Sequence, residues 1–76
     1  MDYQKAILDK VSTGSLIGSY IAKSGLTFDQ LADLLQLNTS RVIYEWLNGK
    51  KLPNIENLYN LALIFNVRME DLLVFE

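Results

Sequence analysis

The chain has 76 residues, a formal net charge of −2, and neither cysteine nor histidine. This length allows one small domain, and a hydrophobic content of 50% favours a folded chain over a disordered one. Disulfides, thiolate chemistry and the usual zinc ligands are excluded, as is histidine, the commonest general base. With no nucleophile–base pair and no glycine-rich phosphate loop, we expect no enzyme, no cofactor and no metal site. No apolar run reaches the roughly 18 residues of a membrane span and no signal peptide is visible, so a cytoplasmic location is expected.

The first segment, residues 1–12, allows two interpretations. It could form a short helix, or an extended arm packed on the domain, and the pattern does not decide between them. The apolar residues that would share one face of such a helix are Tyr3, Ala6, Ile7 and Val11.

The folded domain is predicted to cover residues 13–76. Thr13 is the expected N-cap of a first helix that runs to about Ser24. Gly25 then provides the left-handed residue that ends a helix. Gly18 lies in the middle of this helix, where glycine costs about 1 kcal/mol relative to alanine. We interpret it as a point where a neighbouring segment approaches closely.

Two short helices joined by a tight turn follow. Thr27 and Gln30 have the spacing of a capping box at the start of the second helix. Thr39 is the expected cap of the third helix, which is predicted from Ser40 to about Leu47. Together these elements, about residues 28–47, form the pattern of a helix-turn-helix.

The remaining chain predicts two more helices. Leu52-Pro53 is an extended link, because proline keeps the preceding residue out of the helical region. Asn54 caps a fourth helix that ends at about Phe65, where Asn66 can take the left-handed conformation. A last helix is predicted over Met69–Leu73. The fold class is therefore all-α with five helices. The positions predicted to face inward are Ile17, Tyr20, Ile21, Ser24, Leu31, Ala32, Leu35, Val42, Ile43, Trp46, Leu47, Ile55, Leu58, Leu61, Ala62 and Phe65.

Several residues recur in an order and spacing that resemble a known family. They are Leu31-Ala32, Ile43, Trp46, Asn48-Gly49-Lys50, Pro53, Leu58, Leu61-Ala62 and the ending Val67, Asp71-Leu72-Leu73. The chain resembles the Cro/repressor-type helix-turn-helix family, also called the xenobiotic-response-element family, from about residue 13 to residue 74. The resemblance implies a five-helix lambda-repressor-like DNA-binding domain. It further implies a transcription regulator of bacterial or phage type, usually dimeric, with the third helix in the major groove.

Three departures from the family pattern bear on that expectation. The turn is one residue longer than in the commonest members, and Phe28 replaces a polar residue that often touches phosphate. Many members carry an arginine at the position of Ile21 and a glutamate at that of Leu47, which form a buried ion pair. Both positions are apolar here. We predict that these two side chains touch, and a hydrophobic contact is physically tolerable there because burying charges is expensive.

The third helix and the loop after it carry the candidate DNA contacts. Arg41 is the preferred base-reading residue, because its fork can bind guanine O6 and N7 together. The simpler alternative is a solvated arginine paired with Glu45, four residues on. The predicted base-reading residues are Ser40, Arg41, Tyr44 and Glu45. The predicted phosphate contacts, which fix register and not sequence, are Thr27, Thr39, Asn48, Lys50 and Lys51.

Double-stranded DNA is the expected partner, bound by a homodimer, with no membrane and no small-molecule substrate. The apolar C-terminal residues are one candidate dimer surface: Leu72, Val74 and Phe75. A protein-interaction module that binds no DNA is the competing hypothesis. The acidic net charge favours it, since DNA-binding domains are usually basic. Phe28 and Tyr44, taken as exposed aromatics, would suit a protein partner.

Overall fold

The computed structural model describes residues 1–76. It has four α-helices and one 3₁₀ helix: α1 (Lys10–Ser24), α2 (Phe28–Leu34), α3 (Arg41–Leu47), α4 (Ile55–Phe65) and the C-terminal 3₁₀ helix (Met69–Leu72). The chain has no β-strand, and its one isolated bridge joins Leu8 and Phe75 in antiparallel orientation. The predicted all-α helix-turn-helix fold is confirmed, although the fifth helix is a single 3₁₀ turn. None of the helices has both the length and the apolar character that crossing a membrane requires.

The start of α1 differs from the prediction, because Asp9 and not Thr13 is its N-cap. The Asp9 carboxylate accepts hydrogen bonds from the Ser12 backbone N–H at 3.0 Å and the Ser12 hydroxyl at 2.9 Å. Thr13 lies one turn inside the helix and is fully buried. Its hydroxyl accepts a hydrogen bond from the backbone N–H of Val74 at 3.0 Å. The same hydroxyl lies 3.5 Å from the Val74 carbonyl oxygen, to which it donates. The buried Thr13 side chain therefore faces the C-terminal tail, where its hydrogen bonds are satisfied.

The segment before α1 has no helix, and its last residues pair with the C-terminal tail. The N–H of Asp9 donates to the carbonyl of Val74 at 2.8 Å, and the N–H of Glu76 donates to the carbonyl of Ile7 at 2.8 Å. This pairing agrees with the extended alternative for residues 7–9, while residues 1–6 form no helix and are exposed. The remainder of residues 1–12 forms the first turn of α1.

The other helices have the predicted capping residues, and only the third helix begins one residue later than predicted. Thr27 and Gln30 form both hydrogen bonds of a capping box, and Asn54 accepts from the N–H of Asn57 at 2.8 Å. The third helix begins at Arg41, and Ser40 at the cap position makes no side-chain hydrogen bond. The Thr39 hydroxyl instead accepts from the Arg41 N–H at 3.3 Å, so the predicted capping group is right while its helix starts one residue later. Gly25 and Asn66 take the left-handed conformation, as predicted.

The core lies where the four α-helices and the 3₁₀ helix meet. Its buried apolar residues are Ile17, Ile21, Leu31, Ala32, Ile43, Trp46, Leu61, Ala62 and Leu72. Most predicted inward positions belong to this set or pack against it. Ile55 and Ser24 are exceptions: Ile55 is 78% exposed and Ser24 is exposed. Ser24 is the last residue of α1 and Ile55 is the first residue of α4, so each lies beyond the part of its helix that packs on the core.

Two glycines set how closely α1 approaches α3. A Cβ on Gly14 would overlap the backbone carbonyl oxygen of Trp46. A Cβ on Gly18 would lie 3.4 Å from Leu47 Cγ, which is ordinary contact. Gly18 therefore faces a neighbouring segment, as predicted, but Gly14 is the position where only glycine fits. The close backbone contact fixes the axis of α3 relative to α1.

Candidate nucleic-acid interface

The outer face of α3 is joined to α2 by an aromatic contact. The rings of Phe28 and Tyr44 meet edge to face with centroids 4.6 Å apart, a geometry that aromatic pairs prefer. Phe28 is half-buried and packs against the core, while Tyr44 remains 54% exposed. The expectation of two exposed aromatics was thus wrong for Phe28. The pair holds the two helices of the motif in a fixed relation.

Arg41 is the cation at the beginning of α3. It is exposed, and it takes part in none of the four ion pairs of the chain. The pairing with Glu45 that the sequence allowed is therefore absent. Arg41 is the first residue of α3, and its side chain forms no hydrogen bond or ion pair within the chain. An arginine at this place is free to bind a base edge or a phosphate.

Glu45 faces the loop after α3. Its carboxylate lies 3.9 Å from Lys50 Nζ and 3.7 Å from Lys51 Nζ, and only 20% of its side chain is exposed. Its backbone carbonyl also accepts the N–H groups of both lysines, at 3.0 and 3.2 Å. Backbone hydrogen bonds and ion pairs therefore both hold the loop against Glu45. Helical spacing does not predict this arrangement, because residues five and six apart come together here through the left-handed Gly49 at the end of α3.

The loop itself is tightly built. Gly49 has φ of 77°, and a Cβ there would lie 2.9 Å from a methyl carbon of Val11. The Asn48 side-chain oxygen accepts the Lys50 N–H at 2.9 Å. These contacts place Lys50 and Lys51 at the end of α3, with side chains that are 69% and 60% exposed. Asn48 thus uses its oxygen within the loop and keeps its amide N–H groups for another partner.

The other candidate residues lie on the same motif. Thr27 and Thr39 are exposed, and the hydroxyl oxygen of each accepts a backbone N–H at a helix start. Each hydroxyl can still donate its own proton, which suits a phosphate oxygen. Ser40 is half-buried. Of the nine candidates, only Ser40 and Glu45 are partly covered by the protein.

Comparison with known proteins places this geometry in a family. A family model described as helix-turn-helix matches residues 17–72. An uncharacterized HTH-type transcriptional regulator from Archaeoglobus fulgidus is 32% identical over 60 residues, which are 79% of this chain and 84% of that protein. Its archaeal source extends the likeness beyond bacteria and phages.

A solved structure shares the fold. The restriction-modification controller protein C.AhdI from Aeromonas hydrophila superposes with a TM-score of 0.74 and 22% sequence identity. The match covers 84% of this chain and 96% of that one. The family match over most of the chain, the related regulator and the shared fold agree with the resemblance seen in the sequence. The chain belongs to the helix-turn-helix family of Cro/C1 type, whose members are DNA-binding transcriptional regulators.

Proposed function

We propose that this transcriptional regulator binds a specific DNA sequence with α3 in the major groove. The observation that supports it best is an exposed arginine without an acidic partner at the first residue of α3. In helix-turn-helix proteins the N-terminal residues of the second helix of the motif contact base edges. Arg41 would bind guanine O6 and N7, with Ser40 and Tyr44 beside it.

The phosphate contacts follow from the same orientation. Lys50, Lys51 and the Asn48 amide lie together at the other end of α3. The hydroxyls of Thr27 and Thr39 lie at the starts of α2 and of α3. Donors at both ends of the reading helix would fix its register on the duplex.

We further propose that the protein binds DNA as a homodimer, although the surface predicted for the dimer needs revision. Leu72 is fully buried and Val74 is half-buried, so only Phe75 of the three predicted tail residues is exposed. A second apolar surface lies on α4, where exposed Ile55, Tyr59 and Leu63 recur every four residues. Residues at that spacing share one face of a helix. A homodimer would read two half-sites about one helical turn, roughly 34 Å, apart.

The function is tested by selection from a randomised duplex pool, followed by fluorescence anisotropy at several salt concentrations. We expect enrichment of a sequence with twofold symmetry and a log–log salt slope of about −4 to −6 for a dimer engaging three cations per subunit. Arg41→Ala should relax the preference at one base position by about 1–3 kcal/mol. Arg68→Ala is the matched control, because it removes the same charge from an arginine that is already paired with Glu70 and Asp71.

Lys51→Ala should weaken binding to every sequence and flatten the salt slope, whereas Lys23→Ala on α1 should do neither. Enrichment of no sequence, together with an Arg41 variant that behaves as the parent does, would leave the protein-interaction alternative. That alternative predicts a protein partner that is lost when Tyr44 is changed and retained when Arg41 is changed.

The dimer surface is tested separately by analytical ultracentrifugation of the protein on the selected duplex. We expect two chains per duplex for the parent. Leu63→Ser should reduce this to one if α4 forms the interface, and Phe75→Ser should do so if the tail forms it. A one-to-one complex of the parent on a symmetric duplex would contradict the homodimer.

A further inference from the structure

We infer that Glu45 acts as an internal competitor for phosphate at Lys50 and Lys51, and thereby keeps the affinity for DNA of any sequence low. This inference rests on the proposed DNA binding. It assigns Glu45 a role different from the base reading that the sequence predicts. Glu45 would be a positioning residue that acts through the two lysines.

The ion pairs place the carboxylate where a phosphate would bind. One carboxylate has its two oxygens directed to two ammonium groups, Oε2 to Lys50 and Oε1 to Lys51. A phosphate that bridged the same two ammonium groups would have to take the place of that carboxylate. Both are oxyanions, and ammonium groups bind either as point charges.

The backbone keeps this arrangement together. The N–H groups of Lys50 and Lys51 both donate to the Glu45 carbonyl. These hydrogen bonds hold the backbone of both lysines next to residue 45, whichever rotamers their side chains adopt. Gly49, packed against Val11, holds the reversal of the chain. The Glu45 side chain is four-fifths covered, which leaves it less freedom than an exposed acid has. It therefore stays near the lysines when no DNA is present.

The charges explain why such a competitor matters. Arg41, Lys50 and Lys51 are the cations of α3 and its following loop, and Glu45 is the acid among them. With two of the three cations paired internally, a duplex meets a weaker positive field until the lysines exchange partners. Because the lysines would contact phosphates and not bases, the reduction applies equally to the specific site and to the competing sites of a genome. It therefore lowers the total amount of DNA-bound protein and leaves the specificity ratio unchanged.

The test is anisotropy with a random duplex and the selected duplex, comparing Glu45→Gln with Glu56→Gln. Both substitutions remove one negative charge, but Glu56 forms no ion pair. Breaking two surface ion pairs predicts an affinity gain of about threefold to tenfold for Glu45→Gln on both duplexes at low salt. The gain should shrink as salt rises, because screening weakens the pairs in the parent. Glu56→Gln should produce a smaller gain. Urea unfolding of each variant checks that the fold is retained.

A second comparison separates the lysines from a general charge effect. In a Lys50→Gln, Lys51→Gln background, Glu45→Gln should give no more than the gain of Glu56→Gln. Equal gains for the two single variants would overturn the inference. So would a loss confined to the selected duplex, which would make Glu45 a base reader. If the parent enriches no sequence and retains no duplex at low salt, the proposed function itself fails, whatever the variants do.

Discussion

The two helices that pack on each other most closely, α1 and α3, are built in opposite ways. α1 has 15 residues, begins with the Asp9 carboxylate bound to two donors of Ser12, and ends at a left-handed Gly25. α3 has 7 residues, and Ser40 at its cap position makes no side-chain hydrogen bond. A helix of 7 residues is far below the length at which isolated helices become stable in water.

This difference indicates where the position of α3 comes from. Ile43 and Trp46 on its inner side are buried, and its last turn touches the backbone of α1 at Gly14. Its outer side, with Arg41 and Tyr44, is exposed. Tertiary packing therefore has to hold α3, and the residues that do so are distinct from those that face the solvent. Substitutions on α1 and at its contacts should therefore change stability without removing a DNA contact. The loss of stability should be largest for the closest contact with α3.

The largest effect is expected where the two backbones meet. Gly14→Ala places a methyl group against the Trp46 carbonyl, which cannot move unless α3 moves, so we expect a loss of about 3 kcal/mol. Gly18→Ala is the matched control in the same helix. Its methyl group would make ordinary contact with Leu47, and alanine favours the helix, so we expect a gain of about 0.5–1 kcal/mol. Urea unfolding measures both, and effects of the same sign would contradict this account of the contact.

A smaller loss is expected at the apolar contact further along α1. Leu47 is half-buried against the core, so Leu47→Ala should cost about 2 kcal/mol, the lower end for buried leucine. The predicted contact with Ile21 is tested by a double-mutant cycle with Ile21→Ala. A coupling of at least about 0.5 kcal/mol is expected for side chains that touch. Leu34→Ala at the exposed end of α2 is the control and should stay within about 0.5 kcal/mol of the parent. Additive losses at Ile21 and Leu47 would contradict the contact.

Thr13 anchors α1 to the tail and not to α3, and its effect should be smaller again. Thr13→Val keeps the shape but removes the acceptor of the Val74 N–H, so a loss of about 1–2 kcal/mol is expected. Thr13→Ser retains the hydroxyl and should lose less. Hydrogen exchange at the Val74 amide should accelerate in the valine variant relative to the serine variant. Unchanged exchange would mean that this hydrogen bond does not hold the tail.

The sequence predicted most of the fold because its helix ends carry local signals. The capping box at Thr27, the cap at Asn54 and the left-handed residues Gly25 and Asn66 each depend on neighbours within a few residues. The start of α1 was wrong because Thr13 also has a cap-like side chain. Its real partner, Val74, is 61 residues away, and no local pattern shows such a contact.

The sequence predicted which residues the candidate site contains, but not which of them form ion pairs with each other. The exposed position of Arg41 follows from helical spacing alone. The contact between Glu45 and the two lysines depends on how the chain turns at Gly49, a turn that packs against Val11 of α1. Periodicity gives the face of a helix that a residue occupies. It does not give the path of the loop that returns over that face.

The smallest expected effect on stability comes from the helix caps. It depends on pH for α1, whose cap is a carboxylate, and not for α3. The backbone N–H and hydroxyl of Ser12 lower the pKa of Asp9 from its ordinary value of 3.8, because they stabilise the carboxylate. A lowered folded-state pKa means that this contribution to stability is complete above the unfolded pKa and is lost as the pH falls through the folded one. Asp71, whose pKa is lowered chiefly by the Arg68 N–H, adds a contribution of the same sign.

Stability should therefore fall below a pH of about 4. Asp9→Asn keeps an acceptor for the cap while removing the charge, so it should flatten this fall without abolishing it, since Asp71 remains. Ser40→Ala at the cap position of α3 removes no side-chain hydrogen bond and should leave the profile unchanged. Urea midpoints measured from pH 2 to pH 6 test this, with Asp71→Asn as the matched control. If Asp9→Asn reproduced the full slope of the parent, the carboxylate would not be stabilising the start of α1. The contrast between a strongly capped α1 and an α3 held by packing would then need another cause.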